Sequence, residues 1–166
     1  GALGMTMPLI SAMRVFATLL SLLLSLPVIA PAPSRPTPSP VAGVTPLHSY
    51  AEALHRASAS RKNVLLLFSN PHCGPCRAVE GVLFMTESGA ELISESYVPV
   101  HLVLNLGGTD KTPETREARS VATRFGVKNP PALLVVSRSG AKLGNIVGIR
   151  RPEILSGLRY YAKPVP

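Results

Sequence analysis

Cys73-Gly74-Pro75-Cys76 contains both cysteines of this 166-residue sequence. The fully apolar run 64–68 precedes it, which is typical of a strand covered on both faces, and an amphipathic segment follows it to about Leu83. This order predicts that the first cysteine lies where a buried strand leads into a helix. Unpaired backbone N–H groups and the helix dipole stabilise a thiolate at that position. The second cysteine lies one turn further on, so the pattern predicts reversible dithiol–disulfide chemistry.

The chain is basic, with 17 Lys and Arg residues against 9 Asp and Glu residues and a net charge of +8. The basic residues are scattered and aromatic residues make up only 5% of the chain, which argues against nucleic-acid binding. Attraction to an anionic membrane surface or to an acidic partner fits this charge better. Two cysteines are too few for a structural zinc site, and none of the four histidines has metal-ligand spacing relative to them. We therefore expect no metal site and no cofactor.

The N-terminal part of the sequence differs in composition from the rest. Arg14 and the apolar, leucine-rich run 15–29 have the form of a secretory signal, and this run is short for a membrane span. A cleaved signal peptide and a retained membrane anchor both fit residues 1–30. Residues 31–46 are rich in proline, which predicts an extended linker. The folded domain is then expected over residues 47–166, outside the cytoplasm.

Alternating helix and strand patterns fill the rest of the chain. Ser49 with Glu52 forms a capping-box pattern for a first helix, and Thr112 with Pro113 marks the start of a later helix that Gly126 is expected to end. The patterns predict helices at about 47–59, 73–83, after a cap at Ser88, at 112–126 and from 152 onward, and strands at 64–68, 97–104, 132–137 and 142–149. Helices separate the early strands and a short turn joins the last two, so we expect a small α/β sandwich around a mixed sheet.

A second block of sequence, together with the cysteine motif, resembles a known family. Residues 121–136 run Val-Ala-Thr-Arg-Phe-Gly-Val-Lys-Asn-Pro-Pro-Ala-Leu-Leu-Val-Val. With Cys73-Gly74-Pro75-Cys76 they resemble the cis-proline block and the active-site motif of the thioredoxin-fold family. Residues 88–104, and Glu80 four residues after the second cysteine, are most similar to its secreted and periplasmic subgroup, which includes the C-terminal domain of the disulfide interchange reductase DsbD. The resemblance implies a thioredoxin-like sandwich in which helices flank a central mixed β-sheet.

The resemblance also implies a role for each matched residue. Cys73 would be the exposed nucleophile and Cys76 the buried resolving thiol, and the two would form a reversible disulfide. Gly74 and Pro75 between them resemble members of low reduction potential. Pro131 would follow a cis peptide bond and face the cysteine pair, and the backbone beside it would pair with a substrate strand.

Departures from the family pattern affect the expected proton transfer. Thioredoxins place a buried Asp six residues before the first cysteine, and here that residue is Leu67. Deprotonation of Cys76 would then depend on Glu80, on His72 or on solvent. Glu80 is either a proton-transfer group or an ordinary helix carboxylate. His72 replaces the tryptophan that usually precedes the first cysteine, and it either favours the Cys73 thiolate or is an exposed loop residue.

The expected substrate edge departs from the pattern as well. Pro130 stands directly before Pro131, and because proline has no N–H it removes one donor from that edge. Ala132 stands where the family commonly has threonine. His48, His55 and His101 have no expected role.

These observations predict an extracytoplasmic thiol–disulfide oxidoreductase that acts as a reductase or electron relay on protein disulfides. Its expected partners are protein disulfide substrates and a reducing partner, for which the resemblance points to a membrane electron carrier. An oxidase or isomerase of higher potential is the nearest alternative. A second alternative, from a different class, is a non-catalytic thioredoxin-fold binding module in which the cysteine pair is inert or holds a metal.

Overall fold

The computed structural model describes residues 43–106, 108 and 111–162. Its helices and strands, in chain order, are α1 (Tyr50–Ser60), β1 (Asn63–Ser69), α2 (Gly74–Phe84), α3 (Glu87–Ser96), β2 (Tyr97–Val103), α4 (Pro113–Phe125), β3 (Ala132–Val136), β4 (Lys142–Ile146) and α5 (Arg151–Tyr161). The predicted signal or anchor segment and residues 31–42 of the predicted linker lie outside the described residues. Within the described part, no helix is long and apolar enough to cross a membrane.

The four strands form one mixed sheet in the order β2-β1-β3-β4. β1 runs parallel to β2 and antiparallel to β3, and β3 and β4 form an antiparallel pair. Two register positions matter for the site: Leu67 of β1 pairs with His101 of β2, and Phe68 pairs with Ala132 at the start of β3. The mixed sheet flanked by helices that the sequence predicts is therefore confirmed.

Two apolar clusters cover the two faces of this sheet. On the first, which we call the α1/α4 face, the buried side chains of α1 and α4 pack against alternate residues of the strands, such as Leu66 and Val100. On the second, which we call the disulfide face, side chains from α2, α3 and α5 pack against the other set, such as Leu65 and Leu67. β1 is buried on both sides because it lies inside the sheet between two helical layers.

Local capping signals predict three of the helix ends correctly. The side chain of Ser49 accepts a hydrogen bond from the Glu52 N–H, and Thr112 forms a capping box with Thr115. Gly126 ends α4 in the left-handed conformation, at φ 69°. This region of backbone space suits glycine because a side chain there is strained.

Three predicted boundaries are wrong. The first helix does not include Leu47, because its N–H donates to the Pro99 carbonyl and its carbonyl accepts from the His101 N–H, which ties it to the edge of β2 instead. Thr86, rather than Ser88, caps α3, since its hydroxyl oxygen accepts from the Gly89 N–H. β4 ends at Ile146 instead of 149.

Candidate active site

The two cysteines are joined in a disulfide at the N-terminus of α2. Their Sγ atoms lie 2.01 Å apart and their Cα atoms 5.3 Å apart. Cys73 is the N-cap of α2, and its Sγ accepts a hydrogen bond from the Cys76 N–H at 3.1 Å. Cys73 is half-buried, whereas Cys76 is only 1% exposed. Cys73 is thus the more accessible of the two cysteines, and Cys76 is covered by protein.

The loop between β1 and α2 is held by Asn70. Its side-chain amide donates to the Leu104 carbonyl at 3.0 Å, and its Oδ1 accepts from the His72 N–H at 3.0 Å. Its own carbonyl accepts from the Cys73 N–H at 3.1 Å. Asn70 therefore holds Cys73 in place relative to the sheet. The sequence did not indicate this role, because the Asn70 partner Leu104 is distant along the chain.

The neighbours of the cysteines on this loop and helix are placed as follows. His72 is exposed, and its backbone N–H makes the contact with Asn70. Gly74 and Pro75 form the exposed first turn of α2, where proline loses no helical hydrogen bond. His72, Gly74 and Pro75 are therefore all at the surface beside Cys73.

Pro131 lies at the same edge of the sheet as the disulfide. Ala132 pairs with Phe68, so the residue before it stands beside the end of β1, where the chain leaves for the cysteine loop. The Pro130–Pro131 peptide bond is cis, as the resemblance implies. A groove of about 380 Å³ begins here; Val79 of α2, Pro131, Lys128 and the segment 145–149 are among its lining residues.

Glu80 and His101 meet beneath α2. The His101 Nε2 atom lies 3.3 Å from the Glu80 Oε1 atom and 2.6 Å from the Ser69 hydroxyl oxygen. The side chains of His101 and Glu80 are 17% and 30% exposed, and Ser69 is buried. Burial lowers the pKa of His101 below the ordinary imidazole value; the Glu80 carboxylate opposes this shift and His48 adds to it.

His101 is the residue of this region that sequence reasoning missed. Its strand alternates buried and half-buried residues, which puts Val100 and Leu102 on the α1/α4 face and His101 on the disulfide face. That alternation was visible in the sequence. The sequence alone does not show the parallel register that pairs His101 with Leu67. It also does not show that the Glu80 side chain contacts His101.

The described residues offer no ready metal site. No group of three His, Cys, Asp or Glu side chains among them is arranged to hold an ion.

Comparison with protein families gives one match. Residues 50–163 match the family described as a thioredoxin-like domain. The matched range contains the disulfide, the cis-proline and all nine helices and strands of the described part of the chain. No curated protein sequence matches this chain.

Several solved structures share the fold. One is the DsbH oxidoreductase, with a TM-score of 0.64 and 16% identity, covering 80% of this chain and 94% of that chain. A thioredoxin from Thermus thermophilus has a TM-score of 0.55 and 26% identity over 70% of this chain and 85% of its own. A disulfide isomerase from Xylella fastidiosa Temecula1 has a TM-score of 0.55 and 19% identity, covering 68% and 88%. The thioredoxin-like fold implied by the sequence resemblance is confirmed.

Proposed function

Because the chain belongs to the thioredoxin-like domain family, we propose that it is a thiol–disulfide oxidoreductase that acts on protein disulfides through Cys73 and Cys76. The observation that carries the proposal is the Cys73–Cys76 disulfide at the start of α2, in which Cys73 is half-buried and Cys76 is buried. A disulfide that only stabilises a fold contributes most to stability when it closes a long loop, whereas Cys73 and Cys76 are only three positions apart. A redox role explains its position better than a stabilising one.

In the reducing direction, the reaction starts from the dithiol. The Cys73 thiolate, stabilised by the N–H groups of the first turn of α2, attacks one sulfur of a substrate disulfide. A Cys73–substrate bond forms, the substrate disulfide breaks, and the second substrate sulfur leaves as a thiolate that takes up a proton. Cys76 then attacks Cys73, the mixed disulfide breaks, and the enzyme is left with the disulfide that the structure contains. Two electrons pass to the substrate.

The substrate is proposed to lie along the groove beside Pro131. A substrate strand next to this edge can accept or donate main-chain hydrogen bonds, and Pro130 offers a carbonyl but no N–H. Val147 and Ile149, which are 83% and 49% exposed, supply apolar surface on the far side of the groove. Substrates with an apolar residue near the reactive cysteine therefore fit this surface.

We further propose that the protein works as a reductase or electron relay outside the cytoplasm, periplasmic or secreted or held at a membrane by residues 1–30. The support is the signal-like form of those residues and the Gly-Pro pair between the cysteines. Thioredoxin, with a potential of about −270 mV, lies at the reducing end of the known range. A reductase in an oxidising compartment needs a donor of electrons, for which we propose a membrane electron carrier.

The first test is the reduction potential of the Cys73–Cys76 pair in the full chain. The protein is equilibrated in dithiothreitol or glutathione buffers and its free thiols are counted by mass tagging. A value below about −240 mV supports a reductase or relay, and a value above about −180 mV supports an oxidase or isomerase instead. If no reversible disulfide forms, the catalytic proposal fails and a binding module takes its place.

A further inference from the structure

We propose that the end of the sheet opposite the disulfide carries a second binding site, which takes the phosphate group of a free anion or of a lipid headgroup. The site, which we call the basic pocket, is formed by Arg61, Lys62, Arg138 and the hydroxyl groups of Ser137 and Ser139. The inference goes beyond the proposed function, because none of these residues takes part in the disulfide chemistry.

The sheet topology brings separate stretches of the chain to this pocket. β1 starts at Asn63 beside the start of β2 at Tyr97, and Val64 pairs with Val136 at the end of β3. The turn before β1 and the turn 137–141 after β3 are therefore neighbours, although they are distant in the sequence. β1 has seven residues, and at a rise of about 3.3 Å per residue its two ends lie about 20 Å apart. Binding in the basic pocket therefore leaves the disulfide free to react.

The basic pocket has the size and the charge of an anion site. Its volume is about 590 Å³, within the range of about 300–1,000 Å³ that is usual for small-molecule sites. Three positive charges line it, from Arg61, Lys62 and Arg138. Among the described residues that line it, Glu95 supplies the one negative charge. The excess of positive charge attracts an anion.

The guanidinium groups of Arg61 and Arg138 are available to a ligand. Both residues are exposed, and within the described part of the chain neither side chain has a carboxylate at ion-pair distance. Arginine stays charged at any physiological pH, and its N–H groups form a fork that matches the oxygen atoms of a phosphate. The two arginines therefore offer bidentate donors that no carboxylate of that part of the chain occupies.

Lys62 and two serines add further donors to the basic pocket. The Lys62 ammonium group donates to the Ser94 carbonyl near the end of α3, which holds the side chain and leaves its other N–H bonds for a ligand. The hydroxyl oxygens of Ser137 and Ser139 lie 2.8 Å apart, and the Ser137 oxygen also accepts from the Ala141 N–H at 3.1 Å. Because one hydroxyl hydrogen joins the two serines, the other is free to donate to a phosphate oxygen.

The backbone of Arg61 is an independent observation that singles out its side chain. Arg61 is the C-cap of α1 and has the left-handed conformation, at φ 58°. Among the residues that the structure describes, it is the one residue other than glycine with a positive φ, and Gly126 has the same position at the end of α4. A side chain is strained in this conformation, and strained residues cluster at ligand sites. Glycine would end α1 with less strain, so we attribute the arginine to binding.

Titration of the ¹⁵N-labelled full chain with inorganic phosphate tests the site. The ionic strength is held constant with potassium chloride, so that general screening of charge does not change during the titration. We expect the backbone amide NMR signals of residues 61–63 and 137–139 to shift and to saturate. The signals of the cysteine loop and first turn of α2, residues 70–76, should keep their positions.

Arginine-to-glutamine variants show whether the shifts report on the basic pocket. Arg61→Gln and Arg138→Gln should each weaken phosphate binding by at least about tenfold, since hydrogen bonds between charged groups are the strong ones. Arg77→Gln is the matched control, because it removes an exposed arginine next to the disulfide. It should bind phosphate as the wild type does.

Two further variants separate binding from folding. Arg61→Gly removes the side chain and relieves the backbone strain. We expect its phosphate affinity to fall as in Arg61→Gln, while the Tm of the phosphate-free chain does not fall. Glu95→Gln removes the negative charge from the lining, and we expect it to tighten phosphate binding by up to about fivefold. A loss and a gain of affinity in variants that both stay folded do not follow from damage to the fold.

Vesicles distinguish the two sources of the phosphate group. Co-sedimentation is measured with vesicles of equal parts phosphatidylglycerol and phosphatidylcholine. Residues 1–30 are identical in all variants, so a difference between variants reports on the basic pocket. If the ligand is a lipid headgroup, the wild type and Arg77→Gln should bind these vesicles about fivefold more tightly than Arg61→Gln. If it is a free anion, the three proteins should bind vesicles equally while phosphate still saturates the pocket.

Other outcomes overturn the inference. Phosphate may give no saturable shift at residues 61–63 and 137–139, or Arg77→Gln may lose as much affinity as Arg138→Gln. The second result would show general attraction to a chain of net charge +8. An Arg61→Gly chain that keeps its phosphate affinity and has a lower Tm would show that the side chain serves the fold. The reduction potential of the disulfide is measured separately, so none of these results decides the oxidoreductase proposal.

Discussion

The two faces of the sheet are built differently. On the α1/α4 face, β1 contributes Val64, Leu66 and Phe68 to a cluster of buried residues that are apolar apart from the hydroxyl of Tyr50. On the disulfide face, the same strand contributes Leu65 and Leu67 and then ends in a polar residue, Ser69. The Ser69 hydroxyl contacts His101, and His101 in turn contacts Glu80. At β1, the α1/α4 face is therefore apolar, whereas the disulfide face has polar and ionisable groups at the end of the strand.

The largest expected effect is on activity, at the half-buried cysteine. Cys73→Ser removes the nucleophile, and we expect insulin disulfide reduction to fall to the uncatalysed rate, a loss of at least about a hundredfold. Cys76→Ser is the matched variant: it keeps the nucleophile but cannot resolve, so it should accumulate a mixed disulfide that mass spectrometry detects. Thermal unfolding in dithiothreitol checks that both variants fold. Residual turnover in Cys73→Ser would show that the chemistry lies elsewhere.

The next effect is on stability, at the α1/α4 face. Leu66 is fully buried there, so Leu66→Ala should lower the free energy of unfolding by about 2–5 kcal/mol, measured by denaturant titration of the oxidised chain. Met85→Ala, at a side chain that is 77% exposed, is the control and should change it little. The reduction potential of Leu66→Ala should stay that of the wild type. A shift larger than about 30 mV, which is about 1.4 kcal/mol, would show that this face also tunes the disulfide.

The elements that were predictable from the sequence are those with local causes. Ser49, Thr112 and Gly126 act on backbone within four residues, and each has the predicted role at its helix end. Leu47 was misplaced because its partners lie on β2, more than fifty residues later, and a helical pattern cannot show a strand pairing. Local sequence patterns therefore predict helix ends better than they predict which residues pair at the edge of the sheet.

In the candidate site, too, some features could be predicted from local sequence and others depend on contacts between distant residues. Cys73 and Cys76 are only three positions apart in the sequence, so their motif and helix position could be predicted from the chain alone. The contact of Glu80 with His101 depends on the parallel register of β1 and β2, and that register is set by the packing of both faces. A proton-transfer role for Glu80 could therefore be suggested from its spacing, while its partner could not.

A smaller effect concerns the pH dependence of stability on the disulfide face. Because burial lowers the pKa of His101 in the folded chain, the unfolded chain binds more protons as the pH falls through about 6.5. His101 thus contributes stability above that pH, and the contribution is lost as the pH falls through its lowered folded value. We expect the Tm of the oxidised wild type to drop more between pH 7.5 and pH 5 than that of His101→Gln. Equal drops in the two proteins would contradict this prediction.

The smallest expected effect is on substrate affinity at the edge beside Pro131. Pro130→Ile restores a backbone N–H, which a paired substrate strand can accept as one extra hydrogen bond. A typical hydrogen bond of about 0.5–1.5 kcal/mol corresponds to a KM for insulin lowered by about twofold to tenfold, with kcat unchanged, because the bond forms before and during the reaction. Pro113→Ile, at the first turn of α4, controls for a general effect of losing a proline. A lower kcat with an unchanged KM would mean that Pro130 positions the reacting sulfurs instead of limiting the hydrogen bonds to the substrate.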